Sequence, residues 1–140
     1  MNIEQKILVD NGKIIIWNTQ AVVNETMEMI GEKIAEMAGE SQSMTAMLIF
    51  EELFVNVANY AYPNTNNKPI TIECTKTETS PLQIIFYDYG LPFDPTEYDC
   101  GEMRVEQVGG HGIRLVKELT SEFKYYRQNN QNIVKVVLLT

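Results

Sequence analysis

The sequence lacks any long hydrophobic run. No stretch of about 20 apolar residues occurs in the 140-residue chain, so no membrane-spanning helix and no membrane partner are expected. The N-terminus, MNIEQKILVDNGK, has no basic stretch followed by the apolar run of a secretory signal. We therefore expect a cytoplasmic protein.

Basic residues are also scarce. The chain has 11 Lys and Arg against 19 Asp and Glu, which gives a formal net charge of −8 at pH 7. Proteins that bind nucleic-acid phosphates carry clustered Lys and Arg, so a nucleic-acid partner is not expected. The acidity does not exclude a single nucleotide, because Mg²⁺ and backbone N–H groups can hold a triphosphate in a buried site.

Cysteine is also rare in the sequence. Cys74 and Cys100 are the two cysteines, and neither stands at metal-ligand spacing. Reduced thiols in a cytoplasmic protein are the favoured interpretation, and a disulfide is the weaker alternative.

The order of sequence patterns predicts one α+β domain over residues 1–140. The length fits a single domain, and a hydrophobic fraction of 44% is ordinary for a globular protein. β-rich runs mark strands, and apolar residues at helical spacing mark helices. The predicted elements are a hairpin (3–9 and 13–17) within an N-terminal extension 1–19, helices 21–37 and about 41–60, strands 70–77 and 82–87, a helix 112–121, and strands 122–127 and 133–139.

This order predicts a two-layer α/β sandwich, with helices on one face of a mixed, mostly antiparallel sheet. Ser41 or Ser43 is expected to cap the second helix. Residues 91–108 follow neither period well, and we expect a lid there, because a long irregular stretch in a compact domain is usually functional. The pattern leaves open whether the N-terminal hairpin is a strand of the main sheet or a dimer element.

The second helix carries a polar stripe on an otherwise apolar surface. At 100° per residue, Thr45, Glu52, Asn56 and Asn59 fall within about 60° of one another, while Glu51 points away. A carboxylate and amides are costly to bury without partners, so something polar should face the stripe. A Mg²⁺-nucleotide would meet that need, with Asn56 offering oxygen to the cation and Glu52 acting as a base. The alternative is that these side chains lie at the solvent edge or bond neighbouring backbone.

A carboxylate ends the predicted strand 82–87. Asp88 is well placed to accept a hydrogen bond from the exocyclic amino group of adenine, whereas guanine presents a carbonyl there. Gly90 would let the backbone approach the base, since it has no Cβ. The alternative is an ordinary turn, because Asp-x-Gly followed by Pro is good turn chemistry.

A glycine loop, Gly109-Gly110-His111-Gly112, precedes the third predicted helix. Flexible backbone at a helix start collects N–H donors and the positive end of the helix dipole, which together form a phosphate cradle. The loop matches neither the P-loop nor the dinucleotide pattern. His111 is expected to act through its backbone N–H rather than as a base.

Taken together, these three segments resemble the motifs of the anti-sigma serine/threonine kinases, within the GHKL ATPase superfamily. The resemblance spans about residues 20–139. The segments are the N-box-like EELFVNVANYAYP at 51–63, the first glycine box at 88–95 (DYGLPFDP), and the second at 109–117 (GGHGIRLVK).

The resemblance implies the Bergerat ATP-binding fold, with ATP and Mg²⁺ as ligands and a mobile lid. By position it makes Glu52 the general base, Asn56 the Mg²⁺ ligand and Asp88 the adenine reader with Gly90 beside it. It also implies phosphorylation of a small antagonist protein on Ser or Thr, binding of a sigma factor by many members, and a homodimer. The remaining expected cofactor-binding residues are Asn59, Phe93, Gly109, Gly110, His111 and Gly112.

Three positions depart from the family pattern. Val108 stands where members often carry an Arg near the γ-phosphate, and Arg104 lies several residues upstream. Tyr60 stands where the N-box often has His, and a Thr frequently found beside the adenine has no clear counterpart around 132–134. The missing Arg bears on catalysis more than on binding, because such a group acts on transition-state charge.

Several functions stay open from sequence. The first is an ATP-dependent serine/threonine kinase that acts as an anti-sigma factor or a similar partner-switching regulator. The alternative is a nucleotide-dependent module that sequesters a partner without phosphotransfer. A small ATP hydrolase and a ligand-free interaction domain are further alternatives.

Overall fold

The structure, a computed structural model, describes residues 7–10, 13–17, 23–57, 60, 68–97 and 110–139. The described chain forms one antiparallel sheet, three α-helices and one short 3₁₀-helix, Pro95–Glu97. The strands are β1 (Ile7–Asp10), β2 (Lys13–Trp17), β3 (Pro69–Thr75), β4 (Gln83–Asp88), β5 (Thr120–Gln128) and β6 (Gln131–Leu138), and the helices are α1 (Val23–Ala38), α2 (Ser43–Asn56) and α3 (Gly110–Leu119).

The six strands lie in the order β1-β2-β3-β4-β6-β5. Each of the five pairings between described strands is antiparallel. The sequence predicts a mixed, mostly antiparallel sheet, and no parallel pair occurs among the described strands. The α+β class itself, with helices layered on a sheet, is confirmed. Because β2 pairs with both β1 and β3, the N-terminal hairpin is an extension of the main sheet.

One face of the sheet forms the core with the helices. Alternate residues of β3, β4 and β6 are buried, as the period of two in a strand requires. One side of α2 is buried in the core, and Phe50 lies at its centre, with ring centroids 5.6 Å from Phe54 and 6.2 Å from Phe86. These contacts fix α2 against β4, the two elements that meet at the candidate site.

The start of α2 differs from the prediction. The N-cap position belongs to Gln42, which makes no side-chain capping bond. Ser43 is already the first helical residue, and its Oγ donates back to the Glu40 carbonyl at 3.2 Å. Gln42 instead donates from Nε2 to the Leu139 carbonyl at 3.0 Å. The predicted serine cap is therefore wrong. Gln42 occupies the N-cap position, and its side chain bonds the backbone just after the last strand instead of capping the helix.

The end of α2 lies at Asn56 in the described chain. The N–H of Val57 donates to the carbonyls of both Leu53 and Phe54, a shared bond that is common at helix ends. The predicted continuation to Tyr60 crosses residues 58–59, which lie outside the described residues.

The hairpin between β5 and β6 turns on Asn129 and Asn130, with φ of 54° and 62°. Two consecutive positive φ values match the type I′ turn, for which Asn is well suited. The strands therefore extend closer to each other than predicted, with Gln128 opposite Gln131. This turn fixes the register that places Asn132 opposite Asp88 across the β4–β6 pair.

Cys74 is a buried free thiol on β3, and burial raises its pKa to about 12. Cys100 lies outside the described residues. No helix in the described part of the chain is long and apolar enough to cross a membrane.

Candidate functional site

The ends of α2 and β4 meet at one cavity. Asn56 is the last residue of α2 and Asp88 the last of β4, and they are only 5% and 2% exposed. The cavity is about 10 Å³, room for about one water molecule. Its walls are otherwise apolar, which is the composition of a small-molecule site with a few placed polar groups. The lining residues are Leu53, Asn56, Val57, Phe86, Asp88, Phe93, Pro95 and Val134.

The Asn56 amide is unsatisfied. Its Nδ2 is the only buried side-chain nitrogen or oxygen that lacks a hydrogen-bond partner within the described residues. Leaving such a group unpaired costs about 1–3 kcal/mol, so a polar ligand in the cavity would recover that cost. The amide can turn to present either its NH₂ or its carbonyl oxygen to the cavity.

The Asp88 carboxylate is held through one of its two oxygens. Oδ1 accepts the N–H of Gly90 at 2.8 Å and the Nδ2 of Asn132 at 2.8 Å. Burial raises the pKa of Asp88, while the bonds from Asn132 and Gly90 and the nearby Arg127 charge oppose that rise. Oδ2 accepts no hydrogen bond from the described residues, which leaves it as an acceptor at the cavity.

Asn132 is the functional candidate that the sequence reasoning missed. Its Nδ2 donates to Asp88 and to the Leu91 carbonyl, at 2.8 Å and 2.7 Å. Its Oδ1 accepts from the Tyr125 hydroxyl, from Arg127 Nη1 at 3.1 Å, and more weakly from the Phe93 N–H at 3.4 Å. The signal that could have found it is the strand register, which sequence alone does not give.

The first turn of α3 lies against Glu52. A Cβ at Gly112 would overlap the Glu52 carboxylate and lie 2.7 Å from its Cγ, so a larger residue there would have to displace the Glu52 side chain. The pKa of Glu52 is raised, first by burial and then by the nearby charge of Glu51. The described residues place no hydrogen bond or ion pair on the Glu52 carboxylate.

The described part of the glycine segment, residues 110–112, is helical rather than a loop. Helix α3 begins at Gly110, two residues earlier than predicted, so Gly110, His111 and Gly112 form its first turn. The backbone N–H groups at such a helix start have no acceptor within the helix. A phosphate bound at this segment would therefore meet a helix N-terminus rather than a flexible loop.

One wall of the cavity is an aromatic ring that is stacked on a second ring. Phe93 lines the cavity, and the Tyr60 ring stacks on Phe93 with centroids 4.7 Å apart and planes 17° apart. The 3₁₀-helix that follows is capped by Asp94, whose Oδ1 accepts the N–H and the hydroxyl of Thr96 at 2.9 and 2.6 Å. The described part of the predicted lid, residues 91–97, thus has structure of its own.

Some residues predicted to belong to the site lie outside the described part of the chain. These are Asn59, Gly109, the rest of the expected lid (98–108) and the side chain of His111.

Gly90 bonds Asp88 through its N–H, and its carbonyl accepts from Arg127 at 2.9 Å. No group of three His, Cys, Asp or Glu in the described chain could hold a metal ion. A cation here would depend on Asn56, water and oxygens of the ligand.

A family model described as the histidine kinase-like ATPase domain matches residues 17–138. The histidine kinase domain from the Erythrobacter litoralis EL346 blue-light activated histidine kinase is similar in structure, with a TM-score of 0.53 and 16% identity over 97% of this chain and 73% of that chain. A second structure of the same Erythrobacter litoralis kinase gives 0.52 and 17%, over 83% of this chain and 41% of that chain. At these identities the likeness establishes the fold alone. No curated protein matches the sequence.

Proposed function

The chain belongs to the histidine kinase-like ATPase domain family, and we propose that it binds ATP with Mg²⁺ and phosphorylates a Ser or Thr of a small antagonist protein. The partner would be an anti-sigma-factor antagonist, with a sigma factor as a second partner, and the working form a homodimer in the cytoplasm. One observation carries the proposal. Asn56 and Asp88 line one cavity, and the start of α3 lies against Glu52, which is one helical turn before Asn56 on α2.

The adenine end of the site would be the cavity at Asp88. The free Oδ2 is an acceptor of a residue that lines an apolar cavity, which suits the exocyclic amino group of adenine. Guanine would set its carbonyl against this carboxylate, and two facing acceptors exclude it. The cavity admits about one water molecule, so the base enters only when a lining side chain such as Phe93 moves.

The phosphate end would be the first turn of α3. Its free N–H groups and the helix dipole favour the negative charge of phosphate. Asn56 fits a Mg²⁺ ion bound to those phosphates, because its buried amide lacks a partner and its carbonyl oxygen is a hard ligand. When bound, Mg²⁺ would neutralise charge on the phosphate oxygens.

Glu52 would be the base in phosphoryl transfer. The acceptor hydroxyl oxygen bonds to the γ-phosphorus as its proton passes to the Glu52 carboxylate. The bond from that phosphorus to the bridging oxygen breaks, and ADP leaves with the electron pair. A raised carboxylate pKa suits this role, since a base works best when its pKa approaches the working pH.

Binding is tested by thermal unfolding with ATP, ADP and GTP, each with and without Mg²⁺. A ligand of the native state at about 100 times its Kd adds about 2.7 kcal/mol to the free energy of unfolding. ATP and ADP with Mg²⁺ are expected to raise the Tm, and GTP is not. No rise with any nucleotide would contradict the proposal.

Transfer is tested with γ-labelled ATP and candidate antagonist domains. We compare Glu52→Gln with Glu51→Gln, a matched change at the neighbouring carboxylate that points away from the site. Glu52→Gln should abolish labelling of Ser or Thr, and Glu51→Gln should retain it. Equal labelling by both variants would remove Glu52 from the mechanism.

A second candidate function is favoured by Val108. Because this residue replaces the Arg that related kinases place near the γ-phosphate, the domain would bind a partner in a nucleotide-dependent way without phosphorylating it. The distinguishing result is ATP-dependent capture of an antagonist or sigma factor with no phosphorylated product.

A further inference from the structure

We infer that Asn132 determines the base selectivity of this chain, because it holds the Asp88 carboxylate in a single orientation. The inference rests on the proposed nucleotide function. It assigns a positioning role to a residue that no motif of the sequence singled out.

The sheet places the two side chains side by side. Asp88 of β4 is directly opposite Asn132 of β6, so both project onto the same face of the sheet. Each is 2% exposed. The 2.8 Å bond from Asn132 Nδ2 to Asp88 Oδ1 is therefore a buried, charge-assisted contact, of the kind that contributes more than a neutral hydrogen bond.

The orientation of the Asn132 amide is fixed by its other partners. Arg127 Nη1 and the Phe93 N–H can only donate, so the atom that they contact has to be the amide oxygen. The Leu91 carbonyl can only accept, so its partner has to be the amide nitrogen. In a flipped amide, the NH₂ group would face the donors of Arg127 and Phe93, and the oxygen would face the Leu91 carbonyl oxygen.

A fixed amide in turn fixes Asp88. Oδ1 is held by two donors, the Asn132 amide and the Gly90 N–H, and turning the carboxylate would break both bonds. Oδ2 is then presented as an acceptor, and acceptors discriminate adenine from guanine at this position. Without the amide, Asp88 could rotate or take up a proton, and the carbonyl of guanine would meet less repulsion.

The same amide holds the segment that follows β4. It bonds Leu91 and Phe93 directly, while Arg127 bonds both the amide oxygen and the Gly90 carbonyl at 2.9 Å. Phe93 is a wall of the cavity. Asn132 therefore positions both the carboxylate and the aromatic wall that a base would contact.

The test compares Asn132→Asp with Gln131→Glu by calorimetry of ADP and GDP binding, with Mg²⁺ present. Asn132→Asp keeps the shape and the acceptor oxygen but replaces the donor to Asp88 and Leu91 with a second acceptor. Gln131→Glu makes the same change one residue earlier, on a half-buried side chain on the other face of the sheet. We expect the ratio of ADP to GDP affinity to fall about tenfold or more in Asn132→Asp, and to stay at the wild-type value in Gln131→Glu.

An unchanged ratio in a folded Asn132→Asp protein would overturn the inference. Circular dichroism and thermal unfolding establish whether the variant is folded. If it is not, Asn132→Ala removes the amide without adding charge and is judged by the same ratio. Wild-type protein that binds neither nucleotide would contradict the proposed function itself, whereas wild-type binding with an insensitive ratio contradicts this inference alone.

Discussion

The Glu52 carboxylate lies against the backbone of Gly112, in the space that any larger residue at that position would fill. One residue comes from the middle of α2 and the other from the first turn of α3. Glycine in a helix costs roughly 1 kcal/mol relative to alanine, so its presence in α3 calls for a reason. The contact with Glu52 supplies one, and it couples the candidate base to the helix start that would bind phosphate.

The effect of Gly112→Ala on the free energy of unfolding should therefore depend on whether residue 52 is Glu or Ala. In the Glu52→Ala background the clash is gone, and the better helix propensity of alanine should stabilise the protein by up to about 1 kcal/mol. With Glu52 present, the new methyl group has to displace the carboxylate and much of that gain should be lost. A double-mutant cycle by urea unfolding measures the coupling, which we expect at about 0.5–3 kcal/mol. The same cycle with Glu51→Ala is the control, and an equal coupling there would refute the contact.

The pH dependence of phosphotransfer should follow Glu52. Its pKa is raised by burial and by Glu51, so the rate should rise with pH through a midpoint above the ordinary Glu value of 4.5. Glu51→Gln removes the like charge and should move this midpoint to lower pH. Initial rates across the acid range, with saturating ATP, make the measurement. A midpoint that does not respond to Glu51→Gln would contradict the electrostatic assignment.

Glu52 should also cost the protein stability when it is ionised. Because its folded pKa lies above its unfolded value, the folded state binds the proton more tightly, and stability falls as pH rises from 4.5 through the folded pKa. Glu52→Gln should then be more stable than wild type at neutral pH and lose this advantage in acid. Urea unfolding at several pH values tests the sign. A neutral-pH loss of stability would mean that the carboxylate has a favourable partner.

Asp88→Asn should weaken adenine recognition without unfolding the domain. The new amide can keep its oxygen towards Asn132 and Gly90, but it then presents an NH₂ group where Oδ2 was. Two donors would face each other with adenine, whereas the carbonyl of guanine would find a donor. We expect ADP affinity to fall about tenfold or more while GDP affinity falls less or rises. Glu73→Gln, a carboxylate-to-amide change on the opposite face of the sheet, serves as the control.

Much of this site could be predicted from sequence because each part is local. The polar stripe of α2 follows from helical periodicity, and Asp88 at the end of β4 follows from a β-rich run that stops. Asn132 cannot be found in this way, since its contact with Asp88 depends on the pairing of β4 with β6 and on a β5–β6 turn that is tighter than the sequence predicts. Helix α3 begins earlier than predicted because glycines disfavour helix in sequence-based reasoning, and the tertiary contact at Gly112 is invisible in the sequence.

A substitution at Asn56 should affect nucleotide binding without lowering the stability of the free protein. The Asn56 Nδ2 is buried without a partner in the described residues, whereas the amide of Asn132, which is also buried, has partners for both its nitrogen and its oxygen. Replacing an unpaired buried amide with an apolar side chain of similar size removes a cost of about 1–3 kcal/mol. Asn56→Leu should therefore leave the free protein as stable as wild type or more stable, and Asn132→Leu should destabilise it.

Although Asn56→Leu should keep its stability, it should bind nucleotide less well in the presence of Mg²⁺. Without the Asn56 oxygen, the gain in ADP affinity that Mg²⁺ gives wild type over an EDTA control should be largely lost. Urea unfolding without nucleotide and calorimetry with and without Mg²⁺ provide the two measurements. A free protein destabilised as strongly as Asn132→Leu would show that the Asn56 amide has a structural partner. An intact Mg²⁺ dependence would remove Asn56 as the metal ligand, because no other oxygen in the site has been assigned that task.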